Sequence, residues 1–480
     1  MLIRADGRAG DRNEVERACR AAVRALRAHG VRPGDRVLLT GANTEEFVVA
    51  LFALMEHGTS VALVDRGLPP RQRARRAEEA AAHWILTDTP QPHDATGPRT
   101  LPLTALTAGT AADTDTGTDS TPLSFRRWYE RTDALIVWSS GSTGEPKGIV
   151  RSGSSVRDNI RRTADRMAYR ADDVLLPLLP FTHQYGLSML LLWWTTGCSL
   201  VLQPDSHRTD AALSAIRAHR VTVVDGVPAT YQSLLRVARG ATDSLAPVRM
   251  WCVGGEPLRP RLREEFARTT GLPLLDGYGS SEAGNIALAV PAHPEGCGRP
   301  LDGITVRAVD ETGRTLAPGE VGEIVVRTPD HMTGLLGPHG TVRPVTGPEY
   351  RTGDLGRVAA DGTVTVLGRR SAVHRLGHTL YPDAIADRAG VCGTPVRVVP
   401  VDGDDGARTR LVFFVADPAD RDAAHWRRTF KDRLAEHEWP NRVVTLRAFP
   451  LTSTGKVDGT ALRRLARAAV APDAERGERP

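Results

Sequence analysis

Seven short apolar runs recur through the first part of the chain: "DRVLLTG", "SVALV", "HWILTD", "ALIVWSS", "VTVVDGVP", "VRMWCVGG" and "PLLDGYG". Continuous apolarity over so few residues is the pattern of strands covered on both faces of a sheet. Between them lie helical segments such as "NTEEFVVALFALMEHG", which reads as a helix capped by Asn43 and closed by Gly58, and "PPRQRARRAEEAAA". Strand and helix alternating at this spacing predict parallel sheets with right-handed crossovers, an α/β fold. From residue 302 the texture changes to "ITVRAVDETGRTLAPGEVGEIVVRTP", alternating and rich in turns, which predicts an antiparallel β subdomain. After "TVTVLGRR" a last unit begins, with a helix over 382–389, strands at "RLVFFVA" and "RVVTLRAF", a helix at "AAHWRRTFKDRLAEH" and a final helix from Asp458. The boundary falls near Gly368, giving an N-terminal α/β domain over 1–368 and a smaller α+β C-terminal domain over 369–480. Residues 104–122, rich in Thr, Ala, Asp and Gly, read as an exposed loop, and the tail "APDAERGERP" as disordered.

At 480 residues the chain is too long for one core, and 41% hydrophobic with 25% charged residues is ordinary for a water-soluble globular protein. The net charge of +5 is spread along the length without a dense basic block, which argues against nucleic-acid binding and leaves room for an acidic partner. Five scattered cysteines with no CxxC pair predict reduced thiols and a cytoplasmic setting. The N-terminus has no apolar signal core, and "LSMLLLWWTTGCSLVL" is too short and interrupted for a membrane span.

Arginine supplies nearly all of the positive charge, and lysine stands only at Lys147, Lys431 and Lys456. An ammonium is a compact point charge on a flexible stem, so a lysine kept against such a bias points to a task that a planar guanidinium does poorly. Lys431 reads as a helix-surface cation, whereas Lys147 and Lys456 stand in "STGEPKG" and "TSTGKVDG". "WSSGSTGEPKG" follows a strand, and its glycines and hydroxyls suit backbone amides wrapping a polyphosphate. It lacks the Walker A spacing, because Pro146 stands where the second glycine belongs and Gly148 follows the lysine.

In order and spacing, "SSGSTGEPKG", "DGYGSSEAG", "YRTGDLG", "LGRR" and "LTSTGKVDG" resemble the motifs of the adenylate-forming superfamily of acyl-CoA synthetases, luciferases and peptide-synthetase adenylation domains. The resemblance covers nearly the whole chain and implies a large N-terminal domain, a small mobile C-terminal domain and an active site between them. It implies an AMP-forming ligase in which a carboxylate attacks the α-phosphate of Mg-ATP. On that resemblance, Ser139, Ser140, Gly141, Ser142, Thr143, Gly144 and Lys147 would hold the β- and γ-phosphates. Ser281 takes the place of a common Thr on the α-phosphate, and Glu282 would ligate Mg2+. Tyr278 would stack on adenine, Asp276 would accept from its amino group, and Gly254, Gly255, Glu256 and Pro257 would line it. Asp354 would grip the ribose with help from Arg369, and Lys456 would bridge the α-phosphate and the substrate carboxylate.

"PLLPFTHQYGLSM" aligns with the segment that shapes the acyl pocket, which places His183 and Tyr185 at the carboxylate end, with Gly279 also in the pocket. Members that activate α-amino acids usually carry an Asp here to pair the ammonium. No acid occurs between Phe181 and Leu192, so the resemblance favours an aryl or acyl acid without an α-amino group. Trp193 and Trp194 fit either the pocket lining or the core. The hinge segment departs from the family, with Ser371 where Asp or Lys is usual. CoA, a carrier-protein phosphopantetheine, or an amine or other non-thiol nucleophile each remain as the acceptor.

Overall fold

A computed structural model describes residues 1–68, 70–89, 98–107, 121–139, 146–205, 208–238, 245–369, 373–375, 378–380, 382–390, 394–402, 409–434, 438–452 and 455–470. These form two compact units, one comprising 1–307, 325–350 and 358–365, the other 308–324, 351–357 and 366–480.

The first unit is built on two large sheets. Its nine-stranded sheet has a parallel centre: Leu2–Ile3, Ser199–Val201, Val174–Pro177, Val223–Gly226, Met250–Gly254 and Leu274–Ser280 lie side by side in that order. Antiparallel Gly284–Leu288 and Arg299–Pro300 extend one edge, and Ala9–Gly10 the other. The eight-stranded sheet places Ser60–Leu63, Arg36–Thr40, Trp84–Thr87 and Arg99–Pro102 parallel to Leu135–Ser139. Lys147–Arg151, Gly334–Leu336 and Val342–Pro344 then add antiparallel strands. All seven apolar runs of the sequence thus lie in parallel strands.

Strand alternation sorts the core. Val37, Leu39, Leu135 and Val137 of one sheet and Leu175, Val223, Met250 and Cys252 of the other share a single buried cluster with helices Arg12–Ala28, Glu45–His57, Gly153–Met167 and Gln184–Thr196. The intervening residues face outward. Val224, Trp251, Val253 and Leu274 pack under helices Thr209–His219, Pro228–Val237 and Pro260–Thr270, while Leu38, Ala62 and Ile136 pack under Pro70–Glu79. Helices sandwiched between two sheets are apolar all round, which is why Glu45–His57 and Gln184–Thr196 carry little amphipathic pattern. Trp193 and Trp194 stack around Phe52 and are 3% and 7% exposed, which makes them core residues.

Three local readings change. Thr44, rather than Asn43, caps Glu45–His57, its Oγ1 accepting from the Phe47 amide, and Gly58 closes the helix at φ +85. Asn43 is used elsewhere: its side chain donates to the Leu179 carbonyl and accepts from the Phe181 amide. Thr104–Thr107 forms a helical turn with Leu106 buried, and the rest of the expected loop through residue 120 lies outside the described residues. The polar N-terminus also contributes two short strands before the first helix.

Strands Thr305–Val309, Gly322–Arg327, Glu349–Val358 and Val364–Arg369 make a separate four-stranded sheet. In the second unit, Val396–Asp402, Thr409–Ala416 and Arg442–Leu446 form a three-stranded sheet. Its two faces are covered by helices Pro382–Ala389 and Ala423–Lys431 on one side and Gly459–Val470 on the other. The tail from 471 lies outside the described residues.

Candidate active site

Gly254, Asp276 and Tyr278 stand toward the ends of two adjacent parallel strands, the place where open α/β sheets bind ligands. Met250–Gly254 runs into Gly255, whose φ of +82 suits glycine, and Leu274–Ser280 runs beside it, with Gly254 paired to Gly277. A Cβ on Gly254 would lie 3.1 Å from the Gly277 carbonyl oxygen and 3.2 Å from the Tyr185 ring. Neighbouring Glu256 is partly exposed. These two strand ends therefore bring Gly254 to Pro257, Asp276 and Tyr278 together, as the motifs require.

Asp276 and Tyr278 are 6% and 8% exposed. Burial pushes the Asp276 carboxyl up to about 7, against the opposing influence of the Cys297 thiol 3.5 Å from Oδ2 and of Arg263. After Tyr278 the pairing with Gly284–Leu288 shifts register, and the chain turns back through Ser281, Glu282 and Ala283. This turn is held on several sides. Ser280 Oγ lies 2.7 Å from Tyr350 Oη, and the Glu282 carbonyl accepts from the Met332 amide at 2.7 Å. Arg151, wholly buried, donates to the carbonyls of Ala283 and Asp330. Asn159 donates to the Asn285 carbonyl and Asp330 Oδ2 and accepts from the Asn285 amide. Ser281 and Glu282 themselves stay partly exposed on this fixed turn.

His183 precedes helix Gln184–Thr196, and its Nε2 lies 2.9 Å from Asp65 Oδ2. The imidazole is 41% exposed and the carboxylate 12%, so Asp65 orients a ring that solvent can reach. Tyr185, in the first turn of the helix, donates from Oη to Asp225 Oδ1 at 2.9 Å. Gly279 is exposed at the end of its strand, where a Cβ would meet the Gly284 carbonyl at 2.8 Å.

Ser139 and Lys147 are opposite partners at the connected end of a hairpin, with Lys147 exposed. Ser140, Gly141, Ser142, Thr143 and Gly144 lie outside the described residues, as does Ser371. In the second unit, Asp354 is 8% exposed in strand Glu349–Val358, and its amide donates to Thr352 Oγ1. Arg369 ends strand Val364–Arg369. Lys456 follows Gly455, whose φ is +78, in a turn closed by the Thr452 amide on the Lys456 carbonyl at 2.7 Å.

Three residues near the site escaped the motif reading: Asp65, Asp225 and Arg151. Asp225 left a signal, a carboxylate inside the apolar run "VTVVDGVP". Among the described residues no group of three or more His, Cys, Asp or Glu side chains is placed to hold a metal, and no helix is long and apolar enough to cross a membrane.

The chain is 29% identical to a feruloyl-CoA synthase from Amycolatopsis sp, an alignment covering 96% of this chain and 95% of that protein. It is 28% identical to a 3-hydroxybenzoate–CoA ligase from Aromatoleum sp. (strain CIB), over 95% of this chain and 91% of that protein. Among solved structures, ATP-bound MatB from Rhodopseudomonas palustris shares the fold, with a TM-score of 0.83 at 24% identity over 97% of this chain and 95% of that one. The model of the family described as AMP-binding enzyme matches residues 7–336, well over half of the chain, and the chain belongs to that family, within the adenylate-forming superfamily.

Proposed function

We propose that this enzyme uses ATP to convert a small carboxylic acid, aryl rather than α-amino, into an acyl-adenylate with release of pyrophosphate, and then passes the acyl group to the thiol of CoA. The observation that carries this reading is the near full-length match to aryl acid–CoA ligases, which extends through the segment holding Lys456. Attack of a carboxylate oxygen on the α-phosphorus forms the acyl-phosphate bond and breaks the α–β bridge, so negative charge accumulates on both sides of the reacting phosphorus. Such a reaction needs positioning and charge neutralisation more than covalent catalysis.

Each residue takes a role suited to its chemistry. Lys147 and the hydroxyls and amides from Ser139 to Gly144 hold the β- and γ-phosphates. Ser281 donates to the α-phosphate. Asp276, Tyr278 and the Gly254–Pro257 backbone hold adenine, while Asp354 and Arg369 hold the ribose. Lys456 neutralises the α-phosphate and the incoming carboxylate, and His183, oriented by Asp65, faces that carboxylate. Glu282 fits a magnesium ion, because Mg2+ characteristically takes one or two protein carboxylates and completes its shell with phosphate oxygens and water. Bound there, Mg2+ would supply charge neutralisation on the polyphosphate. Residues 369–480 act as the mobile C-terminal domain, with Ser371 at its hinge.

The test is ATP- and magnesium-dependent pyrophosphate release over a panel of aryl, short-chain, medium-chain and α-amino acids, with hydroxylamine as trap. Hydroxamate from an aryl acid, lost in Lys456→Ala, is the expected result. Hydroxamate only from α-amino acids would overturn the substrate class. Transfer to an added amine with none to CoA would overturn the acceptor.

A further inference from the structure

Asp225 is 1% exposed, and its neighbours in register are Pro177 and Cys252. Strand alternation turns Val224 to the outer core and Asp225, like Val223, to the space between the sheets. There Oδ1 accepts from Tyr185, but Oδ2 is enclosed without a partner among the described residues. The other groups bearing on this carboxyl are Tyr169, Tyr231 and Cys252. Tyr231 is already committed, its hydroxyl donating to the carbonyls of Val224 and Cys252. On the adjoining segment Gln184 Oε1 is also enclosed and unpartnered. A buried carboxylate oxygen and a buried amide oxygen both lacking donors leave an excess of acceptors, which native interiors rarely tolerate.

Tyr185, which holds Oδ1, is itself only partly buried, and desolvation holds its phenol well above the usual range. The ring rests against Gly254, where a side chain would crowd it, and Gly254 begins the segment assigned to adenine. Burial likewise pushes Asp225 up to about 7, against the Tyr185 hydrogen bond, so it is above that pH, in the ionised carboxylate, that Oδ2 is an acceptor short of partners for a donor that reaches it.

We propose that Asp225 determines substrate specificity, its Oδ2 accepting from a hydroxyl or amino group on the ring of the aryl acid being activated. This rests on the acid-activation reading above. A site with an unpaired buried acceptor rejects the analogue lacking the donor more strongly than it rejects one differing by a methylene.

The experiment compares kcat/KM for pyrophosphate release between matched acids, benzoate against its hydroxy and amino derivatives at each ring position, and cinnamate against its hydroxylated counterparts. The expected result is that at least one donor-bearing acid exceeds its parent by about tenfold or more. Asp225→Leu and the near-isosteric Asp225→Asn should each bring that ratio toward one. Equal use of every matched pair by the native enzyme would overturn the proposal even if neither variant folded, and so would a ratio unchanged in a folded variant. No pyrophosphate from any acid would instead sink the activation reading and this one with it.

Discussion

Two carboxyls in the first unit, Asp225 and Asp276, are pushed up to about 7 by burial, and both sit near the candidate site. Perturbed acids in such a place are a signature of function, because a stabilising core alone gains nothing from them. Their linkage to stability has a defined sign. The native state keeps a proton that the unfolded chain has already released, so each group's contribution declines as pH rises from the ordinary carboxylate range to about 7 and is level above it. Asp225→Asn should therefore gain stability relative to the native enzyme across that interval, by at most about 4 kcal/mol, since Asn carries no charge to bury. Thermal denaturation at pH 5, 6, 7 and 8 reads this, and a stability difference independent of pH would contradict it. Lysine tells a complementary story: among 62 basic residues only three are lysines, and two of them, Lys147 and Lys456, occupy glycine- and hydroxyl-rich segments, where the proposed role of reaching one phosphate oxygen suits an ammonium better than a guanidinium.

At the scale of elements, the turn carrying Ser281 and Glu282 owes its position to helix Gly153–Met167, through Asn159. Asn159→Ala leaves the Asn285 amide and carbonyl without that partner and should cost about 2–3 kcal/mol in stability. It should also raise the magnesium concentration needed for half-maximal rate; an unchanged magnesium titration in a folded variant would detach the helix from the site. The parallel strands were legible because short, continuously apolar runs alternating with helical segments have few other uses. The two-residue strand Leu2–Ile3 was not, since its pairing with Ser199–Val201 involves residues nearly 200 positions away and no local pattern announces it. Asn43 was misread for a related reason: it is a sound helix cap locally, but the tertiary partners at Leu179 and Phe181 claim its side chain and leave Thr44 to cap. The motif residues at the strand ends could be read from the resemblance of their motifs to those of the adenylate-forming superfamily. The His183–Asp65 pair could not, because 118 residues separate its members and only the fold brings them together.

At the scale of the molecule, the chain resolves into two compact units, with Asp276, Tyr278, Ser281 and Glu282 in the first and Asp354 and Lys456 in the second. If Ser371 marks the hinge, Ser371→Pro should slow thioester formation several-fold more than adenylation. Equal effects on both half-reactions, measured by quenched flow, would argue against a rotation at that point. The central claim is that ATP is cleaved between the α- and β-phosphates to activate an acid for transfer to a thiol. Incubation of the purified enzyme with ATP, magnesium, a ring-hydroxylated aryl acid and CoA, followed by quantitation of all nucleotide and acyl products, tests it most directly. The account predicts AMP, pyrophosphate and acyl-CoA in equal amounts. ADP and phosphate in their place, or acyl-CoA formed without AMP, would contradict it.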